Sequence, residues 1–546
     1  MKQIKTCGNC KKSFEIVDAD LDFYSKISVP QPTLCPDCRQ QRRLIRRNEK
    51  NLYLRTCDMC KKKVVSIYPD GCGFLVYCAN CWWSDKWDSS KYGRGFDFSK
   101  PFFEQFEQLQ KVVPRLALQN QLSENSDYTN HAKANKNCYM CMDIACCEDC
   151  YYCTNFVPYC KNCVDCVAIQ NCELCYDCTN TKKSYASFGL SDSQGCTDSA
   201  FLYECIGCEK CILCTNLRHK KYFIRNRQAS KEEYEKLRAE LTSYAKYQDC
   251  RKEFIEIMKR APHKYCFLKN CENVIGDHVE NAKNANHVFY GYGSKDVKFV
   301  YDFGEMKDCY DLTEPWKGEL QYETHACNDG YNLKFVSIAW DNSYLTYCDL
   351  CFNSHYLFGC IGMHNRRHYI LNKEYSKEEY EKLVPRIIDH MKKTKEWGEF
   401  FPMQLSTFPY NETVAQEYYP LTREKALSLG LKWKDREPRE YQKQTYKTPD
   451  NIADVPASIT NELLACESCG KNFKIVAQEL AFYKQMNLPA PRKCFDCRHT
   501  ARMSFRNPRK LWPRKCDACG AEIQSVYEKS RPEKIYCEPC YLKLLD

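Results

Sequence analysis

No stretch of this chain is apolar over enough residues to span a bilayer. Its opening, MKQIKTCGNC, lacks the apolar core of an export signal. Phosphate-cradling loops, dinucleotide fingerprints, nucleophile elbows and the paired-histidine helix of zinc proteases are all missing. Histidine is sparse, 11 in 546 residues, and none accompanies cysteines at the spacing of a catalytic zinc site. An enzyme is left only through acid–base groups converging from distant segments. The expectation is a cytoplasmic, non-enzymatic protein with no membrane partner.

Cysteine is the residue in excess, at 42. Without an export signal, so many read as thiols and metal ligands rather than disulfides. The length is too great for one core and suggests about three to five structural units. The formal charge of +10 counts cysteine as neutral. Four four-cysteine zinc sites would each add about −2, leaving the chain close to balance. Where the cations sit therefore matters more than their sum.

The two ends are copies. Cys7, Cys10, Cys35, Cys38, Cys57, Cys60, Cys78 and Cys81 correspond, 459 residues on, to Cys466, Cys469, Cys494, Cys497, Cys516, Cys519, Cys537 and Cys540. Cys72 corresponds to Arg531 and is not expected to be a ligand. Each copy holds one C-x2-C-x24-C-x2-C site and one C-x2-C-x17-C-x2-C site. Two residues between cysteines let a tight turn aim both sulfurs at one tetrahedral ion. Four structural zinc sites are expected, with iron as the other metal such ligands accept.

The first site of each copy also carries a likeness. "CGNCKKSFEIVDADLDFYSKISVPQPTLCPDCR" and "CESCGKNFKIVAQELAFYKQMNLPAPRKCFDCR" resemble the zinc-binding domain family of uncharacterised bacterial proteins. The resemblance covers about 33 residues of each copy, and the remainder resembles cysteine-rich bacterial proteins. It implies zinc binding on a zinc-ribbon or treble-clef-like fold, and no function.

Between the paired knuckles of each copy lies an arm with seven cations, against the single acid Glu49 in one and none in the other. A helix starting at the second knuckle would align Arg39, Arg43 and Arg47, and in the other copy Arg498, Arg502 and Arg506. Guanidinium forks on a rigid helix suit phosphate. Arg43, Arg46, Arg47, Arg55, Arg502, Arg506, Arg509 and Arg514 are thus the nucleic-acid candidates, with structured or ribosomal RNA, or a ribonucleoprotein, favoured. Arg39 and Arg498, directly after ligands, are expected to balance thiolate charge. The tryptophans at 82, 83 and 87 read as packing against "KPFFEQFEQLQKVV", whose Phe102, Phe103, Phe106 and Leu109 form one helical face.

The middle is repetitive. Segments beginning at Lys283, Lys295 and Lys307 advance by 12, and Cys150, Cys163 and Cys175 by 13 and 12. Short strands at a fixed period suggest a β-solenoid-like stack, with a plain antiparallel meander as the other architecture. Free thiols would fill its narrow interior as small hydrophobes, or bind additional metal or an iron–sulfur cluster. The body is itself doubled: residues 214–237 align without gaps to 360–383, an offset of 146. Ser230 with Glu233, and Ser376 with Glu379, form capping boxes that start helices.

The expected fold is multidomain and mainly β with short helices: twin zinc-ribbon or treble-clef modules at both ends flank a duplicated β-solenoid-like body. The segments are a twin-zinc module at 1–92, a helical connector at 93–122, a cysteine-rich repeat unit at 123–229 and capping helices at 230–262. A second repeat unit at 263–375, a helix and linker at 376–460, and a second twin-zinc module at 461–546 complete it. Function is expected to be nucleic-acid binding through the arms. A protein-interaction scaffold with structural zinc is the alternative, with a partner on the repeat body, and an iron-containing redox protein is the third.

Overall fold

Each cysteine pair shapes its own neighbourhood. In this computed structural model, the first pair of every site sits in the turn of an antiparallel hairpin: Lys2–Thr6 with Ser13–Val17, Tyr53–Thr56 with Lys63–Ser66, Leu464–Ala465 with Asn472–Phe473, and Trp512–Lys515 with Glu522–Ser525. The turn closes through a left-handed residue, Lys11, Lys61, Gly470 or Gly520, at corresponding positions of the two copies. Glycine adopts that conformation at no steric cost, whereas the lysines pay a modest one. The second pair begins a helix whose N-cap is the ligand itself: Cys35 before Pro36–Leu44, Cys78 before Ala79–Trp82, Cys494 before Phe495–Met503, and Cys537 before Glu538–Leu542.

The structure describes residues 2–313, 317–325, 327–328, 330–331, 336, 339–340, 342–435 and 440–545. Two units cut across sequence order. One comprises Met1–Leu118, Cys266–Asp435 and Arg509–Leu511; the other comprises Gln119–Tyr265, Arg436–Pro508 and Trp512–Asp546. The N-terminal cysteine module therefore shares a unit with the second repeat segment, and the C-terminal module, apart from Arg509–Leu511, with the first.

Both repeat segments are parallel ladders. Asn130 pairs with Met142, Tyr176 with Phe188 and Ala200 with Ile212; in the other segment Lys283 pairs with Lys295, which pairs with Lys307. The step is 12 residues throughout these pairs, and an extra residue at 154–157 makes it 13 where Tyr151 meets Val164. Parallel pairing replaces the antiparallel meander.

A shorter period runs inside the 12. From Asn162 to Arg225 every third residue has a positive φ. As far as Asn216, the residue two places before each such position is buried, and the one between makes the parallel bridge. Asn, Asp and Gly recur at the left-handed corners, as at Asn162, Asp165, Asn171, Asp177, Asn180 and Gly189, since their side chains tolerate that region best.

The interior explains the thiols. Cys138, Cys141, Cys147, Cys150, Cys153, Cys160, Cys163, Cys166, Cys172, Cys175 and Cys178 form one buried column system. The Cys163 thiol donates to Lys161 O at 3.3 Å or Cys172 O at 3.5 Å, and Cys166 repeats the pattern. Inward N–H groups that the ladder leaves over are taken by the side chain 12 residues earlier. Cys153 N donates to Cys141 Sγ at 3.3 Å, Cys196 N to Ser184 Oγ at 3.2 Å, and Cys205 N to Ser193 Oγ at 3.1 Å. Cysteine and serine share these positions because both pack small and both satisfy a buried amide.

The sequence-marked helix starts are present. Ser230 and Ser376 accept from Glu233 N and Glu379 N, with the glutamates reaching back. Trp82, Phe102, Phe106 and Leu109 are fully buried, and Phe103 is partly so.

Candidate metal centres and arginine arms

Four groups of four cysteines could each hold a metal ion: Cys7, Cys10, Cys35, Cys38; Cys57, Cys60, Cys78, Cys81; Cys466, Cys469, Cys494, Cys497; and Cys516, Cys519, Cys537, Cys540. Metal–sulfur bonds of about 2.3 Å place tetrahedral sulfurs about 3.8 Å apart. The Cys10–Cys35, Cys60–Cys78, Cys469–Cys494 and Cys519–Cys537 sulfurs stand 3.6, 3.9, 3.7 and 3.7 Å apart. The donor sets fit a closed four-thiolate site. Cys72 is outside them and accepts from Arg55 at 3.4 Å. Among the described residues the central thiols form no such group.

One sulfur in every site is prepared as a thiolate. Burial opposes charge at Cys7, Cys57, Cys466 and Cys516, but converging backbone N–H donors outweigh it and lower these thiols to about 6, 7, 6 and 6. Cys35 N donates to Cys7 at 3.2 Å, and Cys78 N and Cys537 N donate to Cys57 and Cys516 at 3.3 Å. Burial raises Cys10, Cys78, Cys494 and Cys537 instead. A metal must displace those protons, so occupancy couples to pH.

The arginine arms turn inward. Arg39 Nε donates to Asp311 at 2.9 Å, and Arg43 lies 3.6 Å from Asp311 and 3.9 Å from Glu323. In the other unit Arg498 Nε lies 2.8 Å from Asp165, and Arg502 lies 2.8 Å from Asp165 and 3.4 Å from Asp177. These are the same contacts twice. Arg39 and Arg43 correspond to Arg498 and Arg502 by 459, while Asp311 and Glu323 correspond to Asp165 and Asp177 by 146. The two acids of each set occupy one left-handed column, 12 residues apart. Arginines at i and i+4 on the helix meet carboxylates stacked about 4.8 Å apart in the ladder. Aromatic contacts repeat too: Tyr24 meets Tyr322 with ring centres 5.4 Å apart, and Tyr483 meets Tyr176 at 5.5 Å.

The remaining candidates are placed as follows. Arg46 pairs with Asp349 at 3.3 Å, and Arg47 pairs with Glu49. Arg55 binds Asp58 at 2.8 Å and Pro69 O at 3.1 Å, and Arg514 binds Asp517 at 3.5 Å and Glu528 O at 3.0 Å, bracing the second site of each module alike. Arg509 pairs with Asp302 at 2.6 Å. Arg43, Arg46, Arg47, Arg55, Arg502 and Arg509 are buried, while Arg506 and Arg514 are half-buried. The expected outward row of guanidiniums is not formed. The helices also end at Leu44 and Met503, before Arg46, Arg47 and Arg506, so the three-arginine stripe is cut to two. Arg39 and Arg498, expected to balance thiolate charge, pair with carboxylates instead and donate to Leu34 O at 2.6 Å and Lys493 O at 3.2 Å, one residue before a ligand.

Sequence reasoning missed the acids. Glu323, wholly buried with Arg42 at 2.6 Å, has its carboxyl pushed up by burial against the pull of that cation. Glu399, also on Arg42, is held low: burial opposes charge, but Arg42 and Thr33 prevail. Among the described residues no helix is long and apolar enough to cross a membrane. No protein-family model matches the chain, and a comparison with curated proteins finds no matching relative.

Proposed function

We propose that this protein is a non-enzymatic scaffold in which four structural zinc ions order two treble-clef-like modules. Each module is stapled by its arginines to a β-solenoid-like repeat segment. The observation that carries this reading is the repeated docking: corresponding arginines meet corresponding carboxylates in both units. Closed four-cysteine sites leave no open coordination position, which suits structural zinc better than a reactive metal. The cysteines whose side chains are described are not linked as disulfides, which fits a reducing compartment such as the cytoplasm. The outer surface of the repeats is then the face offered to a protein partner.

The other reading, RNA held by the arms, requires side chains that now neutralise buried carboxylates to leave them. Metal analysis together with nucleic-acid binding at low salt tests both. The scaffold reading expects about four zinc ions per colourless chain and no salt-dependent affinity for structured RNA. Tight binding whose logarithm falls steeply with log salt would establish the RNA reading instead. A coloured, iron-loaded chain would establish the redox one.

A further inference from the structure

The docking contacts shared by the two units cannot tell one cysteine module from the other, because Arg39, Arg43, Asp311 and Glu323 are matched by Arg498, Arg502, Asp165 and Asp177. Discrimination has to come from positions where the copies differ together. One such set lies beside the second metal site of each module.

In one unit Arg115 Nε donates to the Tyr68 hydroxyl at 2.8 Å, and Arg115 also pairs with Asp349 at 2.9 Å. Arg46 pairs with the same carboxylate. In the other unit Tyr527 corresponds to Tyr68, and Tyr203 corresponds to Asp349. His263 takes the place of Arg115: Arg115 pairs across the sheet with Val76, and His263 with Ile535, the counterpart of Val76. His263 Nε2 donates to Met258 O at 3.0 Å, so the neutral ring accepts at Nδ1 from one of the two hydroxyls that face it, Tyr203 at 2.7 Å and Tyr527 at 3.1 Å. Phe505 stands at the position of Arg46. Two arginines and one carboxylate in one unit are thus replaced by a phenylalanine, a neutral histidine and a tyrosine in the other. Asp349, Tyr203, Arg115 and His263 are all buried.

We propose that positions 46, 115 and 349, and their counterparts 505, 263 and 203, are matched sets that assign each repeat segment its own cysteine module. Exchanging modules, each together with the strand paired to it (Arg115–Leu116 or His263–Lys264), would place Arg46 and Arg115 against Tyr203, two buried cations deprived of their shared carboxylate. The reverse exchange would place Asp349 against Phe505 and a neutral histidine, a buried anion deprived of both cations. Either mixture is strongly disfavoured, whatever metal fills the sites.

The test uses the full zinc-loaded chain refolded from denaturant and read by hydrogen exchange of the helices Pro36–Leu44 and Phe495–Met503. Asp349→Tyr alone is expected to raise the opening of Pro36–Leu44 by about a hundredfold or more. Adding Arg46→Phe and Arg115→His is expected to recover at least about tenfold of that loss by removing the stranded cations. This triple variant carries the same set in both units, so it is expected to refold to a mixture giving bimodal exchange, where the unaltered chain gives one population. The complementary triple, Tyr203→Asp with His263→Arg and Phe505→Arg, is compared with Tyr203→Asp and covers the case in which the first does not fold. Rescue with a mixed population supports the assignment. A triple no better protected than its single variant, or one that refolds to a single population, overturns it.

Discussion

Replacing Asp165 by alanine should unlock the C-terminal cysteine module from its repeat segment. Asp165 is completely buried and receives Arg498 and Arg502, each at 2.8 Å. Its loss leaves two buried guanidiniums short of a counter-charge, one of which keeps Glu479 at 3.1 Å and the other Asp177 at 3.4 Å. Removing one partner of a buried pair costs about 3–5 kcal/mol, equivalent to about a 150- to 5,000-fold rise in opening. A two-unit chain need not unfold in one step, so a single melting temperature is a poor readout. Exchange of amides in the helix Phe495–Met503 is the direct one. Glu148→Ala is the control: its pair with Lys161 is exposed on both sides, at 50% and 41%, and such pairs contribute about 0–1 kcal/mol. Less than about a tenfold change in the helix on losing Asp165 would refute the reasoning, because the carboxylate would then hold nothing that matters to docking.

Other consequences are as concrete. Cys141→Ser should be close to neutral, whereas Cys141→Ala should cost about 1–3 kcal/mol by orphaning the Cys153 amide; exchange of amides in that ladder compares them. If zinc fills the sites as proposed, Cys57→Ser should lower the metal content by about one ion per chain and deprotect the hairpin Tyr53–Thr56/Lys63–Ser66, since a structural zinc would supply most of such a module's folding energy. Acid should destabilise the fold below about pH 6.5. Burial lowers His263 and His355, and His364 to about 4, so the folded chain favours their neutral form while the unfolded chain protonates. Their contribution is complete above the unfolded value and is lost as pH falls toward the folded one. For His364 that loss is at most about 3 kcal/mol. Urea midpoints from pH 7 to 5, with metal content followed in parallel, check the sign.

Much of the local structure was legible. The +459 correspondence separated ligands from Cys72 because a metal site needs all four sulfurs at fixed spacing. Capping boxes at Ser230 and Ser376 are local chemistry, and the 12-residue step follows from repeated lysines. The triplet inside it was also written in the sequence, as Asn, Asp or Gly recurring at the left-handed corners. A search for 12-residue alignment alone passes over that signal. The fate of the arginines was harder, since Asp311 lies 272 residues from Arg39. A clue existed nonetheless: Asp165 with Asp177, and Asp311 with Glu323, are 12 apart and related by the same 146 that relates the repeats. Which module shares a unit with which repeat segment was not legible, because it shows only in long-range pairs such as His263 with Ile535 and Arg115 with Val76.

On the proposed scaffold reading, docking depends on metal-shaped helices presenting arginines to stacked carboxylates. Its most direct test is hydrogen exchange of Pro36–Leu44 and Phe495–Met503 while metal is withdrawn stepwise by a chelator. Both helices should lose protection as their own sites empty, together with the ladder around Asp165 and Asp311. Helices that stay protected in the metal-free chain would contradict this dependence.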